Sequence, residues 1–184
     1  LKDWTDGQIF RAVRHGVDAG GNRLPVMSSQ SVGFLSDDDL QSVIAYLRSQ
    51  PAVENVTPPP NPSFLAAIMS GAGLLPKRPE AAADSITAPP RGPTVEYGEY
   101  TAKWMGCEEC HGPNLVGGQS KFLPNGPNLR SVQGWTAEGF ITAMRTGKTP
   151  FGRQLDSLLM PWNTLGRFSD ADLTALHAYL SALK

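Results

Sequence analysis

The chain has 184 residues and a formal net charge of −1 at pH 7, from 16 Lys and Arg against 17 Asp and Glu. That length allows one ordinary domain or two small ones, and the lack of any Lys- and Arg-rich stretch excludes a nucleic-acid-binding protein. The two cysteines share one five-residue window, which excludes a disulfide framework and indicates a site instead. With 16 Pro and 19 Gly, much of the chain is expected to be turn and linker.

The sequence contains an internal repeat. Residues 4–16 match residues 135–147, and after two extra residues in the second copy the match continues through the last predicted helix. In this alignment Met27 is equivalent to Met160. Because a repeat on this scale marks related structural modules, we predict two of them in this chain.

Three segments follow from the repeat and the composition. We predict the C-terminal part of a first module at residues 1–50, a Pro-rich linker at residues 51–94 and a complete second module at residues 95–184. The prolines forbid long helices and interior strands in the linker, apart from a short helix over Phe64–Met69 that we expect to pack on one module. The first module's N-terminal half would precede Leu1, so we expect the chain to belong to a longer protein.

Both modules are predicted to be helical. Ser36 and Ser169 each precede acidic residues, a pattern typical of a helix N-cap with carboxylates at the positive end of the helix dipole. Apolar residues follow each Ser at helical spacing, and Thr136 is predicted to cap another helix that ends at Gly147. No stretch alternates between apolar and polar residues over a useful length, so the predicted fold class is all-α.

The only cysteines lie in the run Cys107-Glu108-Glu109-Cys110-His111, the pattern of haem c attachment. On a helical turn, residues three apart face the same side, so both thiols are placed to add to the two vinyl groups on one edge of the macrocycle. His111 then projects its imidazole to the iron.

Two other interpretations of this run are a redox C-x-x-C and half of a zinc site. A zinc site needs further Cys or His ligands near the first pair, and the sequence has no other Cys. A thioredoxin-like site needs a preceding strand in a βαβ unit, for which there is no pattern. Haem attachment is therefore the favoured interpretation.

An iron that carries electrons needs a sixth ligand, and Met160 is the candidate. It lies 49 residues after His111, in a loop just before the capped C-terminal helix. A soft thioether favours Fe(II) and raises the potential. The other candidates are weaker because their positions indicate helix packing, helix capping or the wrong side of the haem: Met105, Met144, His177 and His15.

These residues resemble the class I c-type cytochrome family, and more narrowly the bacterial two-domain, dihaem cytochromes c. The resemblance covers residues 95–184 fully and residues 1–50 as the back half of a second such domain. It is carried by the following stretches: Tyr97 to Tyr100, Cys107 to His111, Gly126 to Leu129, Trp135, Met160 to Trp162 and the last helix.

The resemblance implies roles for three more residues. The carbonyl of Pro127 should accept a hydrogen bond from His111 Nδ1, although Pro113 stands in a duplicate of the same Gly-Pro-Asn-Leu string. Trp135 should reach a haem propionate, with a plain role in anchoring its helix as an equal alternative. Arg153 should pair with a propionate.

The first module keeps a methionine, Met27, at the axial position, but no Cys or His pattern stands before it. By the spacing of the second copy, its attachment site would lie about 20 residues before Leu1. We expect a second haem there, ligated by Met27. The alternative is a relic domain without haem.

The predicted function is electron transfer by a haem c protein that is neither an enzyme nor a binder of a small-molecule substrate. Both axial positions are filled, which leaves no open site on the iron. Its partners are expected to be redox proteins, with a membrane respiratory or photosynthetic complex as the setting. Covalent haem implies a periplasmic or exported protein, and a region before Leu1 could carry a signal peptide or membrane anchor. The alternatives are a dihaem peroxidase-type enzyme and the cytochrome subunit of a membrane dehydrogenase.

Overall fold

The structure is a computed structural model that describes residues 1–24, 31–53, 55, 63–72, 83–118 and 125–184. It divides into two compact units, Leu1–Thr87 and Ala88–Lys184, and this division falls inside the segment predicted as a linker. The described residues contain helices, turns and two isolated β-bridges but no strand. The predicted all-α fold class is therefore confirmed.

The first unit contains three α-helices within its described residues. They are α1 (Asp6–His15), α2 (Asp37–Ser49) and α3 (Phe64–Gly71), with a 3₁₀ turn at Ser31–Phe34. The short helix predicted over Phe64–Met69 is thus present as α3. Its large side chains Phe64, Leu65 and Ile68 are exposed, so the expected packing of this helix on a module is not observed.

The second unit contains five α-helices in its described part. They are α4 (Val95–Trp104), α5 (Cys107–His111), α6 (Ala137–Thr146), α7 (Trp162–Leu165) and α8 (Asp170–Ser181), with 3₁₀ turns at Pro113–Leu115 and Leu129–Gly134. Helices α4, α6 and α8 surround one hydrophobic core. Its buried members include Phe140, Met144, Leu173 and Leu176.

The predicted N-caps are confirmed in both units. The hydroxyl of Ser36 accepts a hydrogen bond from the backbone N–H of Asp39, and the hydroxyl of Ser169 accepts one from Asp172. Thr136 caps α6 in the same way, and α6 ends at Gly147 as predicted. Each cap satisfies a backbone donor that has no partner inside its helix.

Helix α4 crosses α8 at very short range, in the most extensive helix–helix contact among the described residues. A Cβ atom at Gly98 would overlap the backbone carbonyl of Ala175 and the Cβ of Tyr179. Only glycine therefore allows the two helix backbones to approach this closely. This crossing holds the N-terminal end of the second unit on its C-terminal helix.

The internal repeat is visible in the local structure. A bridge joins Val17 and Arg23 after α1, and a matching bridge joins Lys148 and Gln154 after α6. Each turn closes with a 2.7 Å backbone hydrogen bond to the glycine that ends the preceding helix, from Leu24 in the first unit and Leu155 in the second.

Helices α1 and α6 each have an arginine near their C-terminal end, and the contacts of this arginine repeat as well. In the first unit Arg14 donates to the carbonyls of Gly33 (3.1 Å) and Leu35 (2.7 Å) and pairs with Asp37 at 2.6 Å. Arg145 does the same in the second unit. Its guanidinium reaches the carbonyl of Gly166, that of Phe168 at 2.8 Å and the Asp170 carboxylate at 2.8 Å.

The end of the predicted linker packs onto helices. In the first unit, the Ser85 hydroxyl donates to Asp37 at 2.6 Å and the backbone N–H of Ile86 donates to the same carboxylate at 3.0 Å. In the second unit, Arg91 binds the Asp172 carboxylate through both oxygens, at 2.9 and 2.8 Å. Both carboxylates lie in the first turn of a helix. Because residues 85, 86 and 91 are bonded to them, the segment 83–94 is partly fixed and is not a free linker.

Candidate functional site

The two cysteines and the histidine of the sequence motif form a helix of their own, α5. The left-handed Gly106 precedes it, and a glycine follows it. Both thiols are free and half-buried, and Cys107 packs against the hydrophobic core. The two sulfurs lie three residues apart on a single helical turn, as the attachment chemistry requires.

Both thiols are held in their neutral form. Burial raises the pKa of Cys107 to about 12, and burial together with the neighbouring Glu109 charge raises the pKa of Cys110. Redox-active cysteines need a thiolate that is stabilised by its surroundings. These surroundings oppose the thiolate, which disfavours a redox pair and suits sulfurs that end as uncharged thioethers.

His111 is buried, and its Nδ1 lies 2.7 Å from the carbonyl oxygen of Pro127. A carbonyl only accepts hydrogen bonds, so Nδ1 carries the proton and Nε2 keeps its lone pair. Burial lowers the pKa of His111, which also favours the neutral ring. The contact expected for Pro127 is therefore present. Pro113 instead opens the 3₁₀ turn directly after α5.

The backbone around Gly126 fixes this geometry. Gly126 donates to the carbonyl of Cys110 at 2.8 Å and accepts from the N–H of Gly118 at 2.9 Å. A Cβ at position 126 would lie 2.5 Å from His111 Nδ1. The imidazole is thus packed directly against the Gly126 backbone. This role of Gly126 was not predicted from the sequence, although the Gly of the repeated Gly-Pro-Asn-Leu string was its signal.

Met160 lies in a tightly bonded loop before α7. Its N–H donates to the carbonyl of Asp156 at 2.9 Å, and its own carbonyl accepts from Trp162 at 2.7 Å. The side chain is half-buried and packs against the same core as Cys107. A thioether in this loop is therefore partly accessible and positioned by backbone hydrogen bonds.

The competing candidates have other roles. Met144 is buried in the core, as its helical position predicted, and Met105 ends α4 and packs on that core. His177 Nε2 lies 3.0 Å from the carbonyl of Trp135, to which it donates. His15 lies 3.6 Å from Asp84 at the end of α1.

Trp135 carries a buried polar atom without a partner. Its indole Nε1 makes no hydrogen bond to any described residue, while its ring packs on the core and meets Phe151 edge-on at 6.4 Å. A buried donor left unpaired is costly, so an acceptor that is not among the described residues is expected here. The packing of the ring on the core is consistent with the alternative role of Trp135 as an anchor of its helix.

The remaining predicted residues are Arg153 and Met27. Arg153 is exposed on the turn after α6, where its backbone pairs with Thr149 at 2.9 Å. Met27 lies outside the described residues, in the stretch 25–30. No helix in the described ranges combines the length and apolar character needed to cross a bilayer.

Comparison with known proteins gives one family match and several relatives. Residues 94–180 match the family described as cytochrome c oxidase, cbb3-type, subunit III. The whole chain is 25% identical to the fructose dehydrogenase cytochrome subunit of Gluconobacter japonicus and 26% identical to the gluconate 2-dehydrogenase cytochrome c subunit of Pantoea cypripedii. It covers 42% and 48% of those proteins, so it spans less than half of their length.

A third relative is similar to only part of the chain. A subunit of the nicotinate dehydrogenase of Pseudomonas putida is 31% identical over 80% of this chain, a match that covers 13% of that protein. The family match, the Cys-x-x-Cys-His helix and the all-helical fold agree. Residues 94–180 are therefore a c-type cytochrome domain similar to the cbb3-type subunit III family, a class of domain that binds haem c covalently.

Proposed function

We propose that this protein transfers single electrons as the cytochrome subunit of a membrane-associated dehydrogenase. In this proposal Cys107 and Cys110 bear the haem as thioethers, and His111 and Met160 are its axial ligands. The observation that carries the proposal is the 2.7 Å contact from His111 Nδ1 to Pro127, directly after the cysteine pair.

That contact prepares His111 as a ligand. The proton on Nδ1 is held by a backbone carbonyl, which fixes the tautomer and the ring orientation and leaves the Nε2 lone pair free to bind a metal. The packing of the ring on Gly126 keeps the imidazole from rotating. The protein therefore supplies a preoriented nitrogen ligand before the group is bound.

Met160 and Trp135 are proposed to complete the pocket. The thioether of Met160 is a soft ligand that stabilises the reduced state. The unpartnered Nε1–H of Trp135 is proposed to donate to a haem propionate, and Arg153 to neutralise a propionate charge. Haem c supplies a one-electron couple between Fe(II) and Fe(III).

Two filled axial positions support an electron carrier rather than an enzyme, because no site on the iron is left for a substrate. A peroxidase would need one of these positions open, and Met160 would occupy it. The two relatives similar over the whole chain are both named as cytochrome subunits of dehydrogenases, which supports a dehydrogenase complex as the partner. The protein is proposed to be exported to the periplasm, where such a complex receives its haem.

The first unit is proposed to form part of a second cytochrome c domain. Its helices, turn and arginine cluster repeat those of residues 135–181, and Met27 is proposed as the axial ligand of a second haem attached before Leu1. Iron and pyridine-haemochrome assays of the intact protein should give two haems per chain. A value of one, with no Cys-x-x-Cys-His upstream, would make the first unit a relic.

The attachment is tested by haem staining after denaturing electrophoresis. The band of the 184-residue protein should stain, and Cys107→Ala with Cys110→Ala should abolish that stain while the chain remains detectable by immunoblot. Colour that extracts into acidified organic solvent from the wild-type protein would contradict covalent attachment.

The axial ligand is tested by Met160→His. The variant should keep its haem and have a lower redox potential, since a more basic nitrogen ligand favours Fe(III). Met105→Leu is the matched control, because Met105 packs on the same core but ends α4. A potential that moves in the control and not in Met160→His would assign the ligand elsewhere.

The dehydrogenase setting is tested in extracts of the native membrane. Anaerobic addition of a sugar or sugar acid oxidised by the partner should reduce the haem, as followed by its visible absorbance. The double cysteine variant should lose the part of this signal that the haem at Cys107 and Cys110 contributes. If no dehydrogenase substrate reduces the haem although dithionite does, the proposed partner is wrong.

A further inference from the structure

Helix α3 presents three large apolar side chains to solvent. Phe64 is 82% exposed, Leu65 is 65% exposed and Ile68 is 50% exposed. Because an α-helix turns by about 100° per residue, these three side chains fall within one sector of about 100° and form a single face. We call these three residues the α3 face. A contiguous apolar face that is open to water indicates an interaction surface.

The sequence around α3 carries no charge. There is no Asp, Glu, Lys or Arg between Glu54 and Lys77, and α3 itself consists of apolar residues, one serine and one glycine. A charged side chain opposes transfer from water into an apolar medium, and none stands here. The backbone N–H and C=O groups inside a helix are paired with each other, so they add little to that cost. This helix can therefore leave water without burying a charge.

The size of the α3 face distinguishes a lipid surface from a protein partner. Helix α3 has eight residues and is therefore about 12 Å long. A stable protein interface takes about 20–30 residues and about 800 Å² from each partner, far more than three side chains on two turns can supply. A helix that lies in the lipid–water interface needs no complementary partner surface. Crossing a bilayer takes about 20 apolar residues, so a helix of this length can lie in a membrane interface but not span it.

The charges nearest to α3 in the sequence fit an anionic surface. The first charged residues after the helix are the adjacent pair Lys77 and Arg78, and acidic residues follow only from Glu80 onwards. On the other side, the nearest charge is Glu54, ten residues before the first residue of α3. Basic residues next to an apolar helix are attracted to anionic lipid headgroups and add to the affinity that apolar burial supplies.

We propose that α3 lies in the lipid–water interface of a membrane, with the α3 face among the acyl chains and Lys77 and Arg78 attracted to anionic headgroups. Binding through one short helix is expected to be weak and reversible. The inference agrees with the membrane setting of the proposed function, but it needs neither the haem nor the dehydrogenase. Vesicle binding and haem attachment can therefore succeed or fail separately.

The first test uses protein-free vesicles of phosphatidylcholine and phosphatidylglycerol. The 184-residue protein should float with these vesicles in a density gradient. The double variant Phe64→Ala with Ile68→Ala favours the helix but removes apolar area, so it should lower the partition coefficient at least about tenfold. Val43→Ala with Leu47→Ala is the matched control, since these residues have the same spacing and are exposed on α2. A wild-type protein that does not float, or an equal loss in both double variants, would overturn the proposal.

The second test separates insertion from adsorption by charge alone. Lys77→Gln with Arg78→Gln should weaken binding to the mixed vesicles about tenfold and leave the weaker binding to pure phosphatidylcholine vesicles unchanged. Binding that high salt removes completely, and that Phe64→Ala with Ile68→Ala does not affect, would show adsorption through charge. That result would contradict insertion of the α3 face.

The third test uses the longer polypeptide to which this chain is expected to belong. Amide hydrogen exchange in α3 should be fast without lipid and at least about tenfold slower with the mixed vesicles, whereas exchange in α6 should stay the same. Slow exchange in α3 before vesicles are added would mean that another segment or a second copy covers the α3 face. Exchange that slows only when the dehydrogenase is added, and not with vesicles, would assign the face to a protein partner. Either result would overturn the proposal.

Discussion

Arg14 and Arg145 occupy equivalent places in the two units but differ in how their clusters are enclosed. Arg14 is completely buried, and its partner Asp37 also receives the Ser85 hydroxyl and the Ile86 N–H. The side chain of Arg145 is 38% exposed, and its partner Asp170 lies largely in solvent. One local network thus exists in a reinforced and an open form.

The difference reflects how each unit closes around its C-terminal helix. The second unit covers α8 with α4, so its arginine cluster is a supplement to a continuous core. The first unit lacks that cover among its described residues, and a later stretch of chain binds over its arginine cluster instead. A repeated element can therefore keep its hydrogen bonds while the source of its stability changes.

The largest effect is expected from Arg14→Met. The substitution leaves the Asp37 carboxylate and two carbonyls without their guanidinium donor, and breaking such a buried pair costs about 3 kcal/mol or more. Chemical unfolding followed by hydrogen exchange should show this loss in α1 and α2. Arg145→Met is the matched control, with an expected cost nearer 1 kcal/mol because the site is open to water. Equal costs would refute the distinction between the clusters.

A slightly smaller effect is expected from Gly98→Val. The new side chain would overlap backbone atoms of α8, and overpacking of this kind costs about 1–3 kcal/mol. The loss should appear in the amide exchange of α4 and α8 and leave α1 and α2 unchanged. If the variant unfolds at the same denaturant concentration as the wild type, the close crossing is not a source of stability.

Asp172 predicts an acid-dependent loss in the second unit. Burial acts to raise its pKa, but hydrogen bonds from Ser169, Arg91 and Tyr97 outweigh burial and lower it. A lowered folded-state pKa stabilises the protein above the unfolded value of about 3.9, and that stability is lost as the pH falls through the folded value.

The variant Asp172→Asn tests this pH dependence. It should lower stability by about 1 kcal/mol at pH 7 and flatten the stability profile of α8 below pH 4. Thermal unfolding between pH 2 and 7 measures both. Because Asp37 belongs to the other unit, the acid sensitivity of α2 should remain, and its disappearance would contradict independent acid sites.

The smallest expected effect is a gain in stability. Gly7 lies in the first turns of α1, with nothing within 4 Å of the position a Cβ would take. Gly7→Ala should therefore stabilise α1 by up to about 1 kcal/mol through helix propensity and reduced freedom of the unfolded chain. Gly98 is needed because α8 leaves no space for a side chain, whereas nothing near Gly7 excludes one. A Gly7→Ala variant that is less stable than the wild type would contradict this difference.

The local features of both units were predictable from the sequence. Ser36, Ser169 and Thr136 cap their helices as their patterns indicate, because a cap depends on a hydrogen bond between residues only three apart. The Cys-x-x-Cys-His helix also follows from a short pattern. The contact of His111 with Pro127 was expected only through the family resemblance, since 16 residues separate its partners.

Features that depend on distant partners were not predictable. Arg14 and Arg145 matched in the repeat, but their partners lie about 20 residues away across a turn and are visible only in the fold. Proline content reports on local conformation, so it predicted a linker at residues 51–94 and gave no sign that Arg91 would bind Asp172. The role of Met27 stays a prediction.

The hydrogen bond from His111 to the Pro127 carbonyl affects which groups at the site can gain or lose a proton. A backbone carbonyl, unlike a carboxylate partner, has no titratable proton to exchange with the imidazole as conditions change. The contact would therefore add no pH-dependent contribution to the potential of a metal bound through Nε2. Substitutions at position 127 are also expected to leave the bond in place, since every residue type has the same backbone carbonyl oxygen. A substitution is expected to disturb this bond chiefly at Gly126, where a single added methyl group would displace the His111 ring.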